Sequence, residues 1–306
     1  MVEIKQSIVD LLNTCGDIRF DEPLNQYTTF KTGGTADIFI TPNSIAALRE
    51  IQKIAVSHSI PVTIIGGGSN VLISDKGIRG IIVRICEDSP NGSNIYHEDT
   101  VIYADSSIQK DHFITYSLME GFEGMEFMSG IPGTIGGGIV MNGGTGDGCF
   151  NDILTRIIIV DREGVIKTID VTEDMYSYRH FSFPEGAIIV GGYFNLKLSE
   201  NQNIVKEKVE AFKNDRKVKH PLEYPSAGSV FKNPEGHSSW KLINDAGLKG
   251  KSIGGAQVSE KHTNFIINTG TATSQNIKDL INLVQDNVYN TFNISLKPEV
   301  RMLGEF

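Results

Sequence analysis

Two glycine-rich segments, residues 66–70 and 121–148, constrain this chain more than any other feature of its sequence. The first reads Gly-Gly-Gly-Ser-Asn and directly follows the apolar run 62–65, which predicts a buried strand that ends in a loop. Three glycines let backbone N–H groups converge on an anion, and Ser69 and Asn70 add side-chain donors. A tight strand exit would explain only one or two of the glycines, so we favour a ligand-binding loop. The spacing matches neither GxGxxG nor a Walker motif.

The second segment holds eleven of the 32 glycines in the chain. So many glycines carry a large entropic cost on folding, which makes sense where the backbone must lie flat against a large ligand. A flexible linker is the alternative. Linkers combine glycine with serine, however, whereas Ile131, Ile135 and Ile139 are interleaved here and require burial. Two such loops suit an extended ligand with two phosphates, such as a dinucleotide cofactor.

The first part of the chain has the pattern of a sheet covered by helices. Residues 36–40 predict a strand, Ser44 begins a helix with one apolar face, and residues 62–65 predict a second strand. Between residues 81 and 198 the pattern changes to short β-branched runs around one helix at 107–120. Turns between these runs, such as residues 161–164, predict hairpins. This change favours an α+β arrangement.

A charged amphipathic helix at about 202–218 forms a plausible connector to the last part of the chain. That part is again α+β and closes with a long amphipathic helix, which Thr273 or Ser274 can cap. We therefore predict an α+β protein with boundaries near residues 80 and 200, which divide it into parts 1–80, 81–200 and 201–306.

The charge and cysteine content exclude several classes of partner. The formal net charge is −9, which argues against nucleic acid or an anionic membrane as the main partner. No apolar run approaches the roughly 20 residues that a membrane-spanning helix needs. The three cysteines are far apart and match no metal-binding spacing, so we expect free thiols, no metal and a cytoplasmic location.

Three further segments carry side chains suited to chemistry. Arg179 lies among aromatic residues in Tyr-Ser-Tyr-Arg-His, and its guanidinium could clamp a carboxylate or a phosphate. Ser229 is flanked by small residues within residues 224–234, although that segment alone would favour an ordinary turn serine. Residues 297–301, Lys-Pro-Glu-Val-Arg, would on their own be interpreted as a solvated strand end.

Taken together and in this order, the segments resemble the UDP-N-acetylenolpyruvoylglucosamine reductases, the MurB family of peptidoglycan synthesis. The resemblance covers nearly the whole chain. It rests on the motifs NQYTTFKTGG (residues 25–34), GGGSN, IPGTIGGG, MNGG, SYRH, SAGSVFKNP, LINDAGLKG and PEVRMLG.

The resemblance implies a fold, a cofactor and a cell process. FAD would be held by two N-terminal lobes, 1–80 and 81–200, of the vanillyl-alcohol-oxidase/PCMH-like kind. An α+β domain, 201–306, would bind the nucleotide-sugar substrate. The protein would act in the cytoplasm, in peptidoglycan precursor synthesis and hence in cell wall biogenesis, cell shape and cell division. It would be a monomer with no nucleic acid, membrane or metal partner.

The reaction implied by the resemblance has two halves. NADPH reduces FAD, and a hydride then passes to the vinyl carbon of UDP-N-acetylenolpyruvoylglucosamine while a proton goes to the neighbouring carbon, giving UDP-N-acetylmuramate. Ser229 would donate the proton, with Arg179 and Glu299 as its partners. Hydride addition to an unsaturated carboxylate builds negative charge, which positioned cationic and hydrogen-bonding donors stabilise.

The resemblance also assigns binding residues. Tyr178 would line the sugar pocket, and Lys219, Asn233 and Asn264 would lie at the UDP diphosphate. The FAD-binding residues would be Lys31, Thr32, Gly66, Gly67, Gly68, Ser69, Asn70, Gly130, Pro132, Gly133, Thr134, Gly136, Gly137, Asn142, Gly143 and Arg216.

The chain departs from the family pattern after the Tyr-Arg motif. Many relatives place a serine two residues beyond the arginine, whereas this chain has Phe181 there. The chain also resembles the shorter subclass, which lacks an insertion with an extra substrate-covering tyrosine.

Two other functions are compatible with the glycine loops. A flavin oxidase of the same superfamily would use oxygen on an alcohol, but the context of Ser229 and Glu299 argues against it. A nucleotide-binding module without catalysis would keep the loops and tolerate the loss of Ser229.

Overall fold

A computed structural model describes residues 6–86 and 94–306 of the 306-residue chain. The described residues form two compact units. The first unit comprises Met1–Phe20, Asp37–Gly67 and Gly80–Asn214, and the second comprises Asp21–Ala36, Gly68–Arg79 and Asp215–Phe306. Each unit contains its own hydrophobic core. Within the described ranges, no helix has the length and apolar character needed to cross a membrane.

The described residues form helices and strands in a mixed order along the chain. The helices are α1 (Gln6–Leu12), α2 (Ile45–Ser57), α3 (Lys110–Met119), α4 (Ile135–Val140), α5 (Gln202–Lys219), α6 (Ser239–Asp245) and α7 (Ser274–Phe292). The strands are β1 (Gly16–Pro23), β2 (Thr35–Pro42), β3 (Val62–Ile65), β4 (Val71–Ile73), β5 (Ile78–Arg84), β6 (Ile95–Glu98), β7 (Val101–Asp105), β8 (Phe122–Glu123), β9 (Gly144–Thr145), β10 (Gly148–Cys149), β11 (Leu154–Val160), β12 (Ile166–Asp170), β13 (Tyr176–Ser177), β14 (His180–Phe181), β15 (Ile188–Asn195), β16 (Lys197–Leu198), β17 (Ser252–Ile253), β18 (Ala256–Val258), β19 (Ile266–Asn268) and β20 (Arg301–Leu303).

The first part of the sequence folds as its pattern predicts. β3 pairs in parallel with β5 in a four-stranded sheet of order β1-β2-β5-β3. The hydroxyl of Ser44 accepts the backbone N–H of Ala47 at 3.0 Å and so caps α2. Leu48 and Ile51 on the apolar face of α2 are buried in one core of the first unit.

A five-stranded antiparallel sheet of order β12-β11-β15-β7-β6 carries the second core of the first unit. The predicted hairpin at residues 161–164 joins β11 to β12, and the N–H of Asp161 donates to Val165 across the turn. The helix predicted at 107–120 begins later, at Lys110. The reason is that Gln109 forms a β-bridge with Thr134 and Lys110 donates its N–H to Gly133, which holds the preceding residues extended.

In the second unit, α6 and α7 pack with the sheet β17-β18-β19. The core there is formed largely by the predicted apolar stripe of α7, including Ile277, Leu280 and Val284. Thr273 caps α7 and forms a reciprocal capping box with Asn276. The carboxylate of Asp75 also accepts the N–H groups of Ser274 and Gln275.

A short parallel sheet, β4 with β20, ties distant segments of the second unit together. Arg301 pairs with Val71 and Leu303 with Ile73. Phe30 and Leu72 lie in the same core as α7. For this reason residues 21–36 and 68–79 group with residues 215–306 in the second unit. The three ligand-binding parts proposed from the sequence remain a prediction.

Candidate active site

The two glycine-rich loops predicted to bind a cofactor meet in the first unit. A Cβ atom at Gly67 would lie 2.8 Å from the Cα of Gly133, and one at Gly66 would lie 2.7 Å from the hydroxyl oxygen of Thr134. Side chains at these two positions would therefore force the loops apart. Glycine is required here because two backbones approach closely.

Several glycines of the second loop serve packing around α4. Thr134 caps this helix by accepting the N–H of Gly137 at 3.3 Å. A Cβ atom at Gly136 would lie 2.7 Å from the Cβ of Ser106, and one at Gly138 would overlap the ring of Phe150. Part of the glycine density thus reflects close packing. Gly130 adopts φ 70° and Gly133 φ 105°, backbone conformations that favour glycine.

Buried hydroxyls without a hydrogen-bond partner occur in both units, and two of them lie in or beside the second glycine segment in the first unit. Across residues 6–86 and 94–306, the side-chain oxygens of Thr32, Ser106 and Ser129 are buried and have no hydrogen-bond partner. Thr32 is a predicted cofactor residue, Ser129 precedes Gly130, and Ser106 packs against Gly136. Unsatisfied buried hydroxyls are costly, so Ser106 and Ser129 in the first unit, and separately Thr32 in the second, fit a polar group of a ligand such as a flavin nucleotide. Neither Ser106 nor Ser129 could be identified from the sequence, because single serines carry no motif signal.

Arg179 lies at the tip of the hairpin formed by β13 and β14. It has φ 58°, a left-handed conformation that is uncommon outside glycine. Its Nη2 donates to the carbonyl of Gly144 at 2.8 Å, and its guanidinium carbon lies 5.3 Å from the ring centroid of Tyr178. The hairpin therefore fixes Arg179 near the Asn-Gly-Gly part of the second loop, residues 142–144.

Asn142 joins this hairpin to the second glycine loop. Its Nδ2 donates to the carbonyl of Ser177 at 3.3 Å, and its Oδ1 accepts the N–H of Asn151 at 3.1 Å. Gly143 donates its N–H to Gly138 at 2.8 Å. Phe181, the departure from the family pattern, is buried and packs against Tyr176 with ring centroids 5.2 Å apart. At this position the chain therefore uses an apolar anchor for the hairpin.

Ser229 and Glu299 come together in the second unit through backbone pairing. Val230, which follows Ser229, accepts the N–H of Glu299 at 2.7 Å, and Phe231 forms a β-bridge with Pro298. Gly228 precedes Ser229 with φ 74°. Both side chains are partly buried. The structure thus places a hydroxyl and a carboxylate, predicted as catalytic partners, on neighbouring backbone segments.

The side chains of Asn264 and Asn233 support this arrangement. Asn264 accepts the N–H of Phe231 at 3.0 Å and donates to its carbonyl at 2.9 Å, so its amide pairs with the backbone next to Ser229. Asn233 accepts the N–H of Ser239, the first residue of α6, at 2.9 Å. These contacts make both residues supports of the Ser229 segment. Their contact with a diphosphate remains a prediction.

The Thr-Phe-Lys-Thr segment packs against the Gly68 end of the first loop. Thr29 donates its N–H to Gly68 at 3.1 Å, and a Cβ atom at Gly68 would overlap the carbonyl oxygen of Tyr27. Lys31 has φ 59° and an exposed side chain. Ser69 follows Gly68 and is partly buried. Both sides of this contact, residues 29–32 and Gly68, belong to the second unit.

The end of α5 carries Arg216 and Lys219 in the second unit. Lys219 forms an ion pair with Asp215 at 2.7 Å, and both side chains are largely exposed. His220 packs against Phe265 with ring centroids 4.8 Å apart. Burial, followed by the charge of Arg216, lowers the pKa of His220 to about 4. Burial also lowers the pKa of His262, whose ring lies 5.4 Å from that of His220.

The predicted site residues fall into one group in each unit. The first unit holds Gly66, Gly67, Gly130, Pro132, Gly133, Thr134, Gly136, Gly137, Asn142, Gly143, Tyr178 and Arg179. The second unit holds Lys31, Thr32, Gly68, Ser69, Asn70, Arg216, Lys219, Ser229, Asn233, Asn264 and Glu299. Their binding and catalytic roles remain predictions. Among the described residues, Cys15, Cys86 and Cys149 form no disulfide.

Comparison with known proteins identifies the family. Residues 36–170 match the family described as FAD binding domain, and residues 220–303 match the family described as UDP-N-acetylenolpyruvoylglucosamine reductase, C-terminal domain. The UDP-N-acetylenolpyruvoylglucosamine reductase of Listeria welshimeri is 42% identical over 289 residues, which make up 94% of this chain and 96% of that protein. The chain belongs to the UDP-N-acetylenolpyruvoylglucosamine reductase family.

Other members of the UDP-N-acetylenolpyruvoylglucosamine reductase family also match this chain over nearly its whole length. The protein of Clostridium tetani is 37% identical over 308 residues, covering 100% of this chain and 99% of its own. The crystal structure of the UDP-N-acetylenolpyruvylglucosamine reductase (MurB) from Thermus caldophilus aligns with a TM-score of 0.78 at 25% identity, over 94% of this chain and 98% of that one. These matches confirm the family resemblance, the α+β fold class and FAD as the cofactor.

Proposed function

We propose that this protein catalyses the NADPH-dependent, FAD-mediated reduction of UDP-N-acetylenolpyruvoylglucosamine to UDP-N-acetylmuramate, in the cytoplasm, as a step of peptidoglycan precursor synthesis. The observation that carries the proposal is the pairing of the Ser229 and Glu299 segments, whose backbones are joined by a 2.7 Å hydrogen bond within the family-matched C-terminal region. A proton donor and an acidic partner are what the second half of this reaction requires.

When bound, FAD would supply the redox chemistry of the reaction, the transfer of a hydride from NADPH to the vinyl carbon of the substrate. We propose that the glycine loops and the segment around Thr32 hold this cofactor. Within the first unit, the close approach of Gly67 to Gly133 and the buried, unsatisfied hydroxyls of Ser106 and Ser129 support this proposal. Within the second unit, the buried, unsatisfied hydroxyl of Thr32 supports it.

Residues of the chain donate the proton and stabilise the negative charge that develops on the substrate. In this proposal the Ser229 hydroxyl gives its proton to the carbon next to the vinyl carbon, and the carbon–carbon double bond becomes single. Glu299 assists by orienting or polarising that hydroxyl. Arg179 stabilises the negative charge that builds up on the substrate carboxylate, a role that its fixed guanidinium suits.

Tyr178, Arg216, Lys219, Asn233 and Asn264 are proposed to bind the substrate or the cofactor. The exposed ring of Tyr178 lies beside Arg179. Lys219 is exposed although it pairs with Asp215, so it can exchange that partner for a phosphate at little cost. Asn233 and Asn264 would act chiefly by holding the Ser229 segment in place.

The decisive experiment uses the purified full chain and separates the two half-reactions. We expect the apoprotein to bind FAD with a change in the flavin spectrum, and NADPH to bleach the bound flavin. Addition of UDP-N-acetylenolpyruvoylglucosamine without oxygen should then restore the oxidised spectrum. A flavin oxidase would instead need oxygen for reoxidation. A binding module would leave the flavin oxidised throughout, and a protein with no effect on the FAD spectrum would overturn the proposal.

A further inference from the structure

Asn70 connects the first glycine loop to the backbone that carries Glu299. Its side-chain Nδ2 donates to the main-chain oxygen of Glu299 at 3.1 Å. Its own main-chain oxygen accepts the N–H of Arg301 at 3.0 Å. Asn70 therefore holds the chain on both sides of Val300, which is itself buried. All of these residues belong to the second unit.

The opposite side of Glu299 is held by the Ser229 segment. The Glu299 N–H donates to Val230 at 2.7 Å, while the Glu299 carbonyl accepts the amide of Asn70. Both main-chain polar groups of Glu299 are thus fixed, one by each neighbour. Because a side chain starts from its backbone, loss of either contact would let the carboxylate shift relative to Ser229.

We infer that Asn70 is a positioning residue, which sets the place of the Glu299 carboxylate beside Ser229. The inference rests on the proposed function, which gives Ser229 and Glu299 their roles. It changes the expectation from sequence, in which Asn70 was a cofactor ligand like Gly68 and Ser69. An amide nitrogen that donates to a protein carbonyl has one of its two hydrogens engaged there.

The position of Asn70 in the chain gives this contact a further effect. Asn70 is the last residue of the first glycine-rich segment, residues 66–70, and directly precedes β4, which pairs with β20 just beyond Glu299. The loop proposed to hold FAD therefore ends in a residue that hydrogen-bonds to the backbone of Glu299. Asn70 thereby links the cofactor loop to the proton-transfer side of the reaction.

The test compares Asn70→Ala with wild type in the full chain loaded with FAD. We expect the dissociation constant for FAD and the rate of flavin reduction by NADPH to stay close to wild type. Reoxidation by saturating UDP-N-acetylenolpyruvoylglucosamine should slow by about 10- to 100-fold, the penalty expected when a catalytic group is misplaced by about 1 Å. The substrate concentration for half-maximal reoxidation should change less than the maximal rate.

Two further variants sharpen the comparison. Asn70→Asp keeps the shape but replaces the donor by an acceptor that faces a carbonyl, so reoxidation should slow at least as much. It also serves if Asn70→Ala does not fold. Asn287→Ala removes an exposed asparagine on α7 and should leave both half-reactions unchanged.

Specific results would overturn the inference. Asn70 is a cofactor ligand if Asn70→Ala weakens FAD binding tenfold or more and reoxidises normally once loaded. Ser69→Ala gives the reference for that pattern. Equal slowing of both half-reactions would show a general structural role. If wild type itself is not reoxidised by the substrate, the proposed function fails and the result is distinct from a failure of Asn70.

Discussion

Val230, which follows Ser229, accepts the backbone N–H of Glu299. The side chains of Ser229 and Glu299 therefore extend from two backbone segments that are hydrogen-bonded to each other. We predict that Ser229→Ala keeps flavin reduction by NADPH but slows reoxidation by UDP-N-acetylenolpyruvoylglucosamine by about 100-fold or more, since a positioned general acid contributes at least that much. Rapid-mixing absorbance of the flavin measures both rates. Ser226→Ala, in the same segment, is the control and should behave as wild type. Normal reoxidation of Ser229→Ala would rule out Ser229 as the proton donor.

Gly67 is a second residue whose identity the structure explains. A Cβ atom there would lie 2.8 Å from the backbone of Gly133, which cannot yield as a flexible side chain could. Gly67→Ala should therefore lose about 1–3 kcal/mol of stability and bind FAD at least tenfold more weakly. Thermal unfolding and FAD titration measure the two effects. Gly146→Ala is the matched control in the second glycine segment, because nothing lies within 4 Å of its Cβ position. Similar behaviour of the two variants would contradict the close-approach explanation.

Several site residues could not have been assigned their contacts from sequence. Asn70, Asn142 and Asn264 stand in glycine-rich or polar motifs, where an amide suits a phosphate as well as a backbone group. Their partners are carbonyls and N–H groups of residues far away in the chain. Sequence spacing carries no information about such long-range pairs, so ligand binding was the only role that the motifs could suggest.

At the scale of single elements, α7 depends on a residue almost 200 positions earlier. The carboxylate of Asp75 accepts the N–H groups of Ser274 and Gln275, both at 2.9 Å, in the first turn of this helix. An anion at a helix N-terminus is favourable because those N–H groups lack partners within the helix. Asp75→Ala should therefore lower the free energy of unfolding by about 1–2 kcal/mol.

Chemical denaturation of the two proteins measures this difference. Asp286→Asn, an exposed substitution on the same helix, should change stability by less than about 0.5 kcal/mol. If Asp75→Ala unfolds at the same denaturant concentration as wild type, the contact contributes nothing to α7.

Elements with strong local signals were predicted well. The strand at 62–65 has the bounds expected, the turn at 161–164 forms its hairpin, and Thr273 caps α7. The three-residue strands β4 and β20 were not predicted as partners. Such short segments show no periodicity, and their pairing is decided by tertiary structure.

At the scale of the whole molecule, the histidines beside α5 make stability depend on pH. The pKa of His220 is about 4 in the folded protein, below its ordinary value of 6.5, because burial and the neighbouring Arg216 disfavour the charged ring. Between these two values the unfolded chain binds a proton that the folded chain does not. The stabilisation is complete above pH 6.5 and is lost as the pH falls through 4.

We therefore predict that His220→Phe, which keeps an aromatic ring, reduces the fall in unfolding free energy between pH 7 and pH 4. Denaturant titrations at several pH values measure the slope. An exposed histidine of the first unit, His58, provides the control His58→Gln, which should keep the wild-type slope. An unchanged slope in His220→Phe would show that the ring titrates alike in both states.

The division of the molecule into two units was only partly visible in the sequence. The change of pattern near residue 200 lies close to the boundary at Asn214–Asp215, whereas nothing in residues 21–36 or 68–79 indicates that they join the second unit. Their membership follows from the strand pair β4–β20 and from Phe30 and Leu72 in a shared core. Long-range packing of this kind leaves no local trace.

The pairing of β4 with β20 also sets an order of events during synthesis. Val71 leaves the ribosome about 230 residues ahead of its partner Arg301. At a synthesis rate of about 5–20 residues per second, roughly 10 to 50 seconds pass between the synthesis of β4 and that of β20. Throughout that time the backbone N–H and C=O groups of β4 lack their partner strand and can pair with other chains. The backbone contacts that hold Glu299 have not yet formed. We therefore expect growth conditions that slow elongation to increase aggregation of the nascent polypeptide.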